Sequence, residues 1–138
     1  MRVRKNHLKM RSNEIEAYKK TLKLSEFQKQ VLVGTLLGDG CLETWNNGRT
    51  YRLKIEHCMA QKEFVEWKYR VLKEFVLSKP RIHKQKSYGL IRENYCFGTV
   101  SHGSFRFYGQ QFYRDGKKVV PRMISKMLTP LALAVWFM

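Results

Sequence analysis

The sequence has few acidic residues for its size, and basic residues far outnumber them. Asp and Glu total 11 against 27 Lys and Arg, which gives a formal net charge of +16 over 138 residues. An excess of one sign this large goes beyond what solubility requires and predicts a polyanionic partner. A nucleic acid is favoured over a membrane surface, because no basic amphipathic helix dominates the sequence.

Paired cysteines and long apolar runs are also missing. Cys41, Cys58 and Cys96 are far apart and form no Cys-x-x-Cys pair, which argues against a disulfide framework and against a zinc site. A reducing compartment is therefore expected, either the cytoplasm or the matrix or stroma of an organelle. No apolar run approaches the length of a membrane span and no signal peptide is visible, so no membrane partner is expected.

The most distinctive stretch runs from Leu32 to Gly40 and reads Leu-Val-Gly-Thr-Leu-Leu-Gly-Asp-Gly. Upstream, Ser25 and Gln28 have the spacing of a capping box, and the apolar residues predict a helix from about Ser25 to about Gly38. Gly34 and Gly38 share one face of this helix, although each glycine costs about 1 kcal/mol relative to alanine. A row of small residues lets a second helix approach closely, which predicts a helix–helix seam.

Asp39 follows at the carboxyl end of this helix, where the helix dipole disfavours a carboxylate and a bound cation would reverse the effect. The alternative is structural, because Asp-Gly is a common helix stop in which Gly40 adopts a left-handed conformation. The residues alone leave both interpretations open.

The rest of the chain predicts an α+β domain. The turn residues and apolar periodicities indicate hairpins and helices in alternation. The expected elements are a hairpin of 41–45 and 50–57, a helix at 60–77, a hairpin of 81–88 and 94–101 with 89–93 as its loop, a short helix within 104–113, a turn at 114–118, and a helix from 129 capped by Thr129.

Both hairpins carry basic and polar residues on one side. In the strand at 50–57, Arg52, Lys54 and Glu56 alternate with apolar residues. The face of the sheet that carries these three residues is therefore predicted to be exposed to solvent, and it is called the wet face below. A wet face in a strongly basic protein suits contacts to base edges or phosphates, although ordinary solvent exposure would explain it as well. The candidates for nucleic-acid binding are Arg49, Arg52, Lys54, Arg81, His83, Gln85 and Lys86.

The stretch Leu32 to Gly40 resembles the motif of the LAGLIDADG homing endonucleases. Leu32 and Gly34 match the motif, Asp39 and Gly40 match its acidic end, Gly38 replaces an alanine, and Leu37 replaces an acid. The resemblance implies an αββαββα half-unit with a four-stranded antiparallel sheet shaped as a saddle on double-stranded DNA. It also implies two motif helices side by side, each contributing one acid to divalent metal at the scissile phosphates.

The resemblance also implies roles for individual residues. Asp39 would be the metal ligand, with Mg²⁺ as the expected ion. A basic residue near the cleavage site would be Lys118, or failing that Lys117, although both also fit a plain surface turn. His57 and Gln61 are candidates for orienting water, and their alternative is a polar strand end.

The last residues, Leu133 to Met138, resemble the opening of a second motif that stops before its acidic end. We expect a LAGLIDADG half-domain at 25–128 and the start of a truncated second motif helix at 129–138. Residues 1–24 are expected to form a basic arm along phosphates, although a solvated, partly disordered tail would explain them as well. The second acid would come from a homodimer through Gly34 and Gly38, or from a missing C-terminal half. The helix at 129–138 would compete with a dimer for the same seam.

Two functions are favoured over a third, a small basic ribosome-associated protein, which explains the charge but not the glycine-lined helix that ends on Asp39. The first is a site-specific, metal-dependent DNA endonuclease encoded by an intron, or its N-terminal half. The second is a binding protein without nuclease activity, either a maturase on intron RNA or a degenerate DNA-binding protein. Charge does not separate them, because phosphate attraction serves DNA and RNA alike.

Overall fold

The structure is a computed structural model that describes residues 12–138, so the first part of the predicted basic arm, 1–11, lies outside the described residues. The helices and strands follow the predicted αββαββα order. They are α1 (12–20), α2 (Glu26–Leu37), β1 (Cys41–Glu43), β2 (Arg52–Cys58), α3 (Lys62–Val71), β3 (Arg81–Ser87), β4 (Leu90–Gly98), α4 (Arg106–Phe112), β5 (Tyr113–Arg114), β6 (Lys117–Lys118), α5 (Ile124–Met127) and α6 (Pro130–Phe137).

Four antiparallel strands form the central sheet in the order β1-β2-β4-β3, which confirms the predicted fold class. The second hairpin closes more tightly than predicted, because Tyr88 and Gly89 both adopt positive φ and make a two-residue turn. As a result β4 begins at Leu90, and most of the predicted loop at 89–93 is strand. The small β5–β6 hairpin has a similar turn at Asp115 and Gly116.

The predicted helix at 60–77 is divided into α3 and flanking 3₁₀ turns at Met59–Gln61 and Lys73–Phe75. The carbonyl of Phe75 accepts a hydrogen bond from Val100 N–H, so the chain leaves the helix to join the loop after β4. The core lies between α2, α3 and one face of the sheet, and includes Leu36, Leu53, Ile55, Val65 and Phe97.

The described part of the N-terminal segment packs on this core. Tyr18 donates from its hydroxyl to the carbonyl of Glu74 (2.7 Å), and His102 Nε2 lies 2.7 Å from the carbonyl of Lys19. Leu24 is buried. None of the helices among residues 12–138 is long and apolar enough to cross a membrane.

The capping box at the start of α2 is confirmed, with reciprocal hydrogen bonds between Ser25 and Gln28. The helix ends differently from the Asp-Gly stop considered above. Its C-cap is Gly38, and the φ of Gly40 is not positive. Gly40 instead lies tightly against Thr35, since an added Cβ would be 2.9 Å from the Thr35 carbonyl oxygen.

The helix that packs on α2 is α6, which confirms a helix capped by Thr129 with Pro130 in its first turn. At Gly34 an added Cβ would overlap the carbonyl oxygen of Ala132 and would lie 2.7 Å from Val135 Cβ. Gly38 is different, because its added Cβ would meet Trp136 at an ordinary 3.8 Å. The close approach of the two backbones therefore depends on Gly34.

We predict that Gly34→Ala destabilises the protein, because the new methyl group meets the backbone of α6 rather than a movable side chain. The free energy of unfolding in urea should fall by about 2 kcal/mol, the usual cost of overpacking, despite the better helix propensity of alanine. Gly38→Ala is the matched control and should fall by less. Equal stability of the two variants would contradict the backbone contact at Gly34.

Candidate active site and nucleic-acid face

Asp39 lies just after α2 with its side chain 77% exposed. The carbonyls at this end of the helix do not remain free, because the ammonium of Lys118 donates to the carbonyl oxygens of Gly38 (2.8 Å) and Gly40. A lysine at the negative end of a helix stabilises that end and offsets the unfavourable position of the Asp39 carboxylate. The sequence analysis suggested that a bound cation would offset the charge of Asp39, and the ammonium of Lys118 supplies part of that positive charge.

Lys118 reaches this position because the β5–β6 hairpin is attached to β1. The hydroxyl of Tyr113, at the start of the hairpin, accepts a hydrogen bond from Leu42 N–H at 2.9 Å. Tyr113 is also the strand partner of Lys118. Lys117 is the next residue along the strand, so its side chain projects to the opposite face and lies exposed. Burial lowers the pKa of Lys118, and Cys41 and Asp39 partly oppose that effect.

His57 lies beneath Asp39 at the end of β2. Its side chain is 5% exposed, and Nδ1 is 3.6 Å from Asp39 Oδ2. Burial first and the charge of Lys68 second lower the pKa of His57, against the opposing effects of Asp39 and Gln61. The imidazole is therefore neutral at neutral pH. Its Nε2 is buried and has no hydrogen-bond partner within residues 12–138.

Lys68 is a residue of this site that the sequence reasoning missed. It is 2% exposed, and its Nζ lies 4.1 Å from the centroid of the Phe64 ring, which in turn packs against His57. Burial lowers the pKa of Lys68 to about 8, and the Asp39 carboxylate opposes this. A signal was present, because Lys68 falls between Phe64 and Leu72 on the apolar stripe of the predicted helix.

We predict that Lys68→Met makes the free protein more stable, because a buried ammonium with a lowered pKa disfavours folding. A pKa of about 8 against an ordinary 10.5 corresponds to about 3 kcal/mol at pH 7. In the parent, stability should rise as the pH goes from about 8 to about 10.5, where the unfolded chain binds the additional proton, and this rise should be absent in the variant.

Urea unfolding at several pH values measures this effect. Lys62→Met, on the exposed side of the same helix, is the control and should leave the pH dependence unchanged. A loss of stability at pH 7 in Lys68→Met would show that the ammonium is better paired than its burial indicates.

The donor set around Asp39 fits one ligand of a metal site, but not a complete site. Among residues 12–138, no three His, Cys, Asp and Glu side chains form a cluster able to hold an ion. The Asp39 carboxylate is exposed and has the hard oxygen atoms that Mg²⁺ prefers. The neighbouring carbonyls of Gly38 and Gly40 are taken by Lys118. Further ligands would have to come from water, phosphate or another carboxylate.

The wet face of the sheet brings together most of the candidates for nucleic-acid binding. Residues directly opposite each other in antiparallel strands share a face, so the register places five of them on one side. These are Arg52, Lys54, Arg81, His83 and Gln85. Two carboxylates lie among them, since Glu56 is 2.7 Å from His83 Nδ1 and Glu43 is 3.8 Å from Arg52 Nε.

Two candidates are not part of this group. Lys86 pairs with Ile91, and both alternate to the opposite side of the sheet, although they lie near the exposed tip of the β3–β4 hairpin. Arg49 is exposed in the loop between β1 and β2. The alternation of Lys86 was readable from the sequence, because only odd-numbered positions of this strand share a face with Arg81.

The comparisons with known proteins agree with this geometry. The model of the LAGLIDADG DNA endonuclease family matches residues 29–138. The chain belongs to the LAGLIDADG DNA endonuclease family. Nucleases of this family are in general metal-dependent.

Individual relatives are similar over most of this chain. DNA endonuclease I-ChuI of Chlamydomonas applanata is 29% identical over 84% of the chain and 58% of its own length. The cytochrome b mRNA maturase bI2 of Debaryomyces hansenii is 29% identical over 79% of the chain and 43% of its own length. The chain thus spans about half the length of these curated relatives.

A solved structure is similar in fold as well. It shows the homing endonuclease I-WcaI bound to its DNA recognition sequence, and it matches with a TM-score of 0.82 and 28% identity. The match covers 89% of this chain and 55% of that chain.

Proposed function

We propose that this chain forms one half of a site-specific DNA endonuclease, with double-stranded DNA held on the wet face of the sheet. One observation carries the proposal. The exposed carboxylate of Asp39 lies at the end of the motif helix, with Lys118, His57 and Lys68 grouped around it. Grouped cations and a carboxylate of this kind suit a phosphodiester substrate better than a purely structural helix end.

In this proposal Asp39 would hold Mg²⁺ together with an acid from a second half-unit. The ion would neutralise charge on the phosphate and activate a water molecule. Lys118 places a positive charge beside Asp39 and lies close enough to the exposed surface to stabilise charge developing on a phosphate. The His57 imidazole lies 3.6 Å from the Asp39 carboxylate, and Gln61 beside His57 would orient solvent.

A second half-unit is favoured over a homodimer built on Gly34. In this chain α6 already covers Gly34, so a dimer through the same residue would have to displace α6. We infer that α6 stands in the position of the second motif helix and that residues 25–128 form the first half-domain. The length of the relatives supports this, because each is much longer than this chain. The segment 1–24 is proposed as the basic arm that follows the phosphates.

The alternative is a maturase that binds intron RNA without cleaving DNA. The observation in its favour is the similarity to the maturase bI2. Exposed basic side chains on both faces of the β3–β4 hairpin, such as Arg81 and Lys84, would serve such a role as well. Competition between a specific intron RNA and duplex DNA for the protein distinguishes the two functions.

We predict that Asp39→Asn abolishes Mg²⁺-dependent cleavage and leaves DNA affinity nearly unchanged, because the amide cannot replace an ionised metal ligand. The assay is nicking of a plasmid library in Mg²⁺ by this chain joined to a second half-unit that supplies the other acid, with binding measured by gel shift in EDTA. In Asp39→Asn the cleavage rate should fall by more than about 100-fold, while the DNA affinity should fall by less than about threefold.

Asp115→Asn is the matched control, since Asp115 is exposed in the β5–β6 turn at positive φ, which asparagine also tolerates. It should cleave as the parent does. Specific binding without any nicking by the parent joined to its second half-unit would favour the non-cleaving alternative, and an equal loss of binding in Asp39→Asn would reject the metal-ligand role.

A further inference from the structure

The side chain of Arg52 lies across a glycine on the wet face of the sheet. A Cβ added at Gly98 would overlap Nη2 of Arg52 and would lie 3.2 Å from its Cζ. Gly98 is the strand partner of Lys54, so Arg52 is its diagonal neighbour. The guanidinium therefore occupies the space that a side chain at position 98 would fill.

Glu43 lies beside the same guanidinium. Arg52 and Glu43 are partners in the register of β1 and β2, and Glu43 Oε2 lies 3.8 Å from Arg52 Nε. The Nε atom is buried without a hydrogen-bond partner among the described residues, while the Arg52 side chain as a whole is 37% exposed. The guanidinium therefore lies against Gly98 and beside Glu43, and the side chain remains partly exposed to a ligand.

This arginine borders a basic cleft of about 360 Å³. Lys54, Lys79 and Arg81 also line it, together with the strand end at 96–100. Lys54 and Lys79 suit phosphates in any sequence, since a lysine acts as a point charge. Both arginines carry a planar guanidinium that matches the O6 and N7 acceptors of guanine in the major groove, and Arg52 differs from Arg81 because its guanidinium lies against Gly98 and beside Glu43.

We propose that Gly98 is a specificity-determining position that acts through Arg52. Because glycine has no side chain, it leaves the space in which the Arg52 guanidinium lies and is oriented toward one guanine. The inference rests on the proposed DNA-binding function. A methyl group at position 98 would lift the guanidinium away from Glu43, and the freed side chain would lose its base preference. Phosphate contacts by Lys54, Lys79 and Arg81 would remain, so general affinity for DNA would persist.

The test is selection of binding sites from a random duplex library in EDTA, followed by affinity measurements on the selected duplex and on variants of each base pair. Gly98→Ala and Arg52→Ala should each lose about tenfold of discrimination at the same base pair. The double variant should lose no more than Arg52→Ala alone, because both changes remove one contact. Affinity for unselected DNA should stay within about twofold in Gly98→Ala.

Gly103→Ala is the matched control, because an added Cβ there meets nothing within 4 Å. It should keep the parental preference. Glu43→Gln removes the carboxylate beside the Arg52 guanidinium and should weaken discrimination at the same base pair. This variant tests the inference even where Gly98→Ala folds poorly.

Several outcomes would overturn the inference. One is an unchanged base preference in both Gly98→Ala and Glu43→Gln. Another is a loss of discrimination in the double variant equal to the product of the two single losses. The third is a loss of affinity that is equal on all sequences, which would assign Arg52 to a phosphate contact. A parent chain that binds no duplex DNA would remove the proposed function itself. Binding of DNA with an intact preference in the variants removes only the role of Gly98.

Discussion

The contact between the backbones of α2 and α6 at Gly34 is the constraint on which the rest of the structure depends. Because Gly34 has no side chain, the backbone of α2 lies close against the Ala132 carbonyl oxygen and the Val135 side chain of α6, and this contact sets how α2 packs. The hydrogen bond of Thr129 with Gln30 adds a second tie between the two helices. The carboxyl end of α2, and Asp39 with it, is consequently held in place by packing several residues away from the proposed chemistry.

The charged groups around Asp39 include one whose burial lowers the stability of the folded protein. Lys118 neutralises the end of α2, whereas Lys68 is buried with its ammonium over the ring of Phe64. A buried ammonium with a lowered pKa disfavours the folded state, and an apolar residue would fill the same space at less cost. Such a group is typical of a functional site, where local stability is given up to shape an electrostatic environment.

The wet face of the sheet carries two kinds of basic side chain, those that lie beside a carboxylate and those that do not. Glu56 lies 2.7 Å from His83 Nδ1 and orients the imidazole before any ligand arrives, and the Arg52 guanidinium lies beside Glu43 and against Gly98. Lys54 and Lys79 lack such a partner among the described residues and border the open cleft. Oriented groups suit the reading of bases, and mobile lysines suit the attraction of phosphates in any sequence.

The sequence by itself determined the elements of the fold, because caps, turns and periodicity are local. The Ser25 capping box, the cap at Thr129 and the alternation around Arg52 all predicted the observed structure. The departures lie where elements end: the helix predicted at 60–77 is divided, α2 ends at Gly38 without a left-handed Gly40, and the positive φ of Tyr88 has no signal in a tyrosine.

Only the tertiary structure decided how the site is assembled. Lys118 meets Gly38 across 80 residues of sequence, α6 meets α2 at Gly34, and Gly98 receives the guanidinium of Arg52. The burial of Lys68 follows from the same packing, although its place on the apolar stripe pointed to it. Such contacts join residues far apart in the chain, and no local pattern of side chains specifies which distant backbone or ammonium will fill a space.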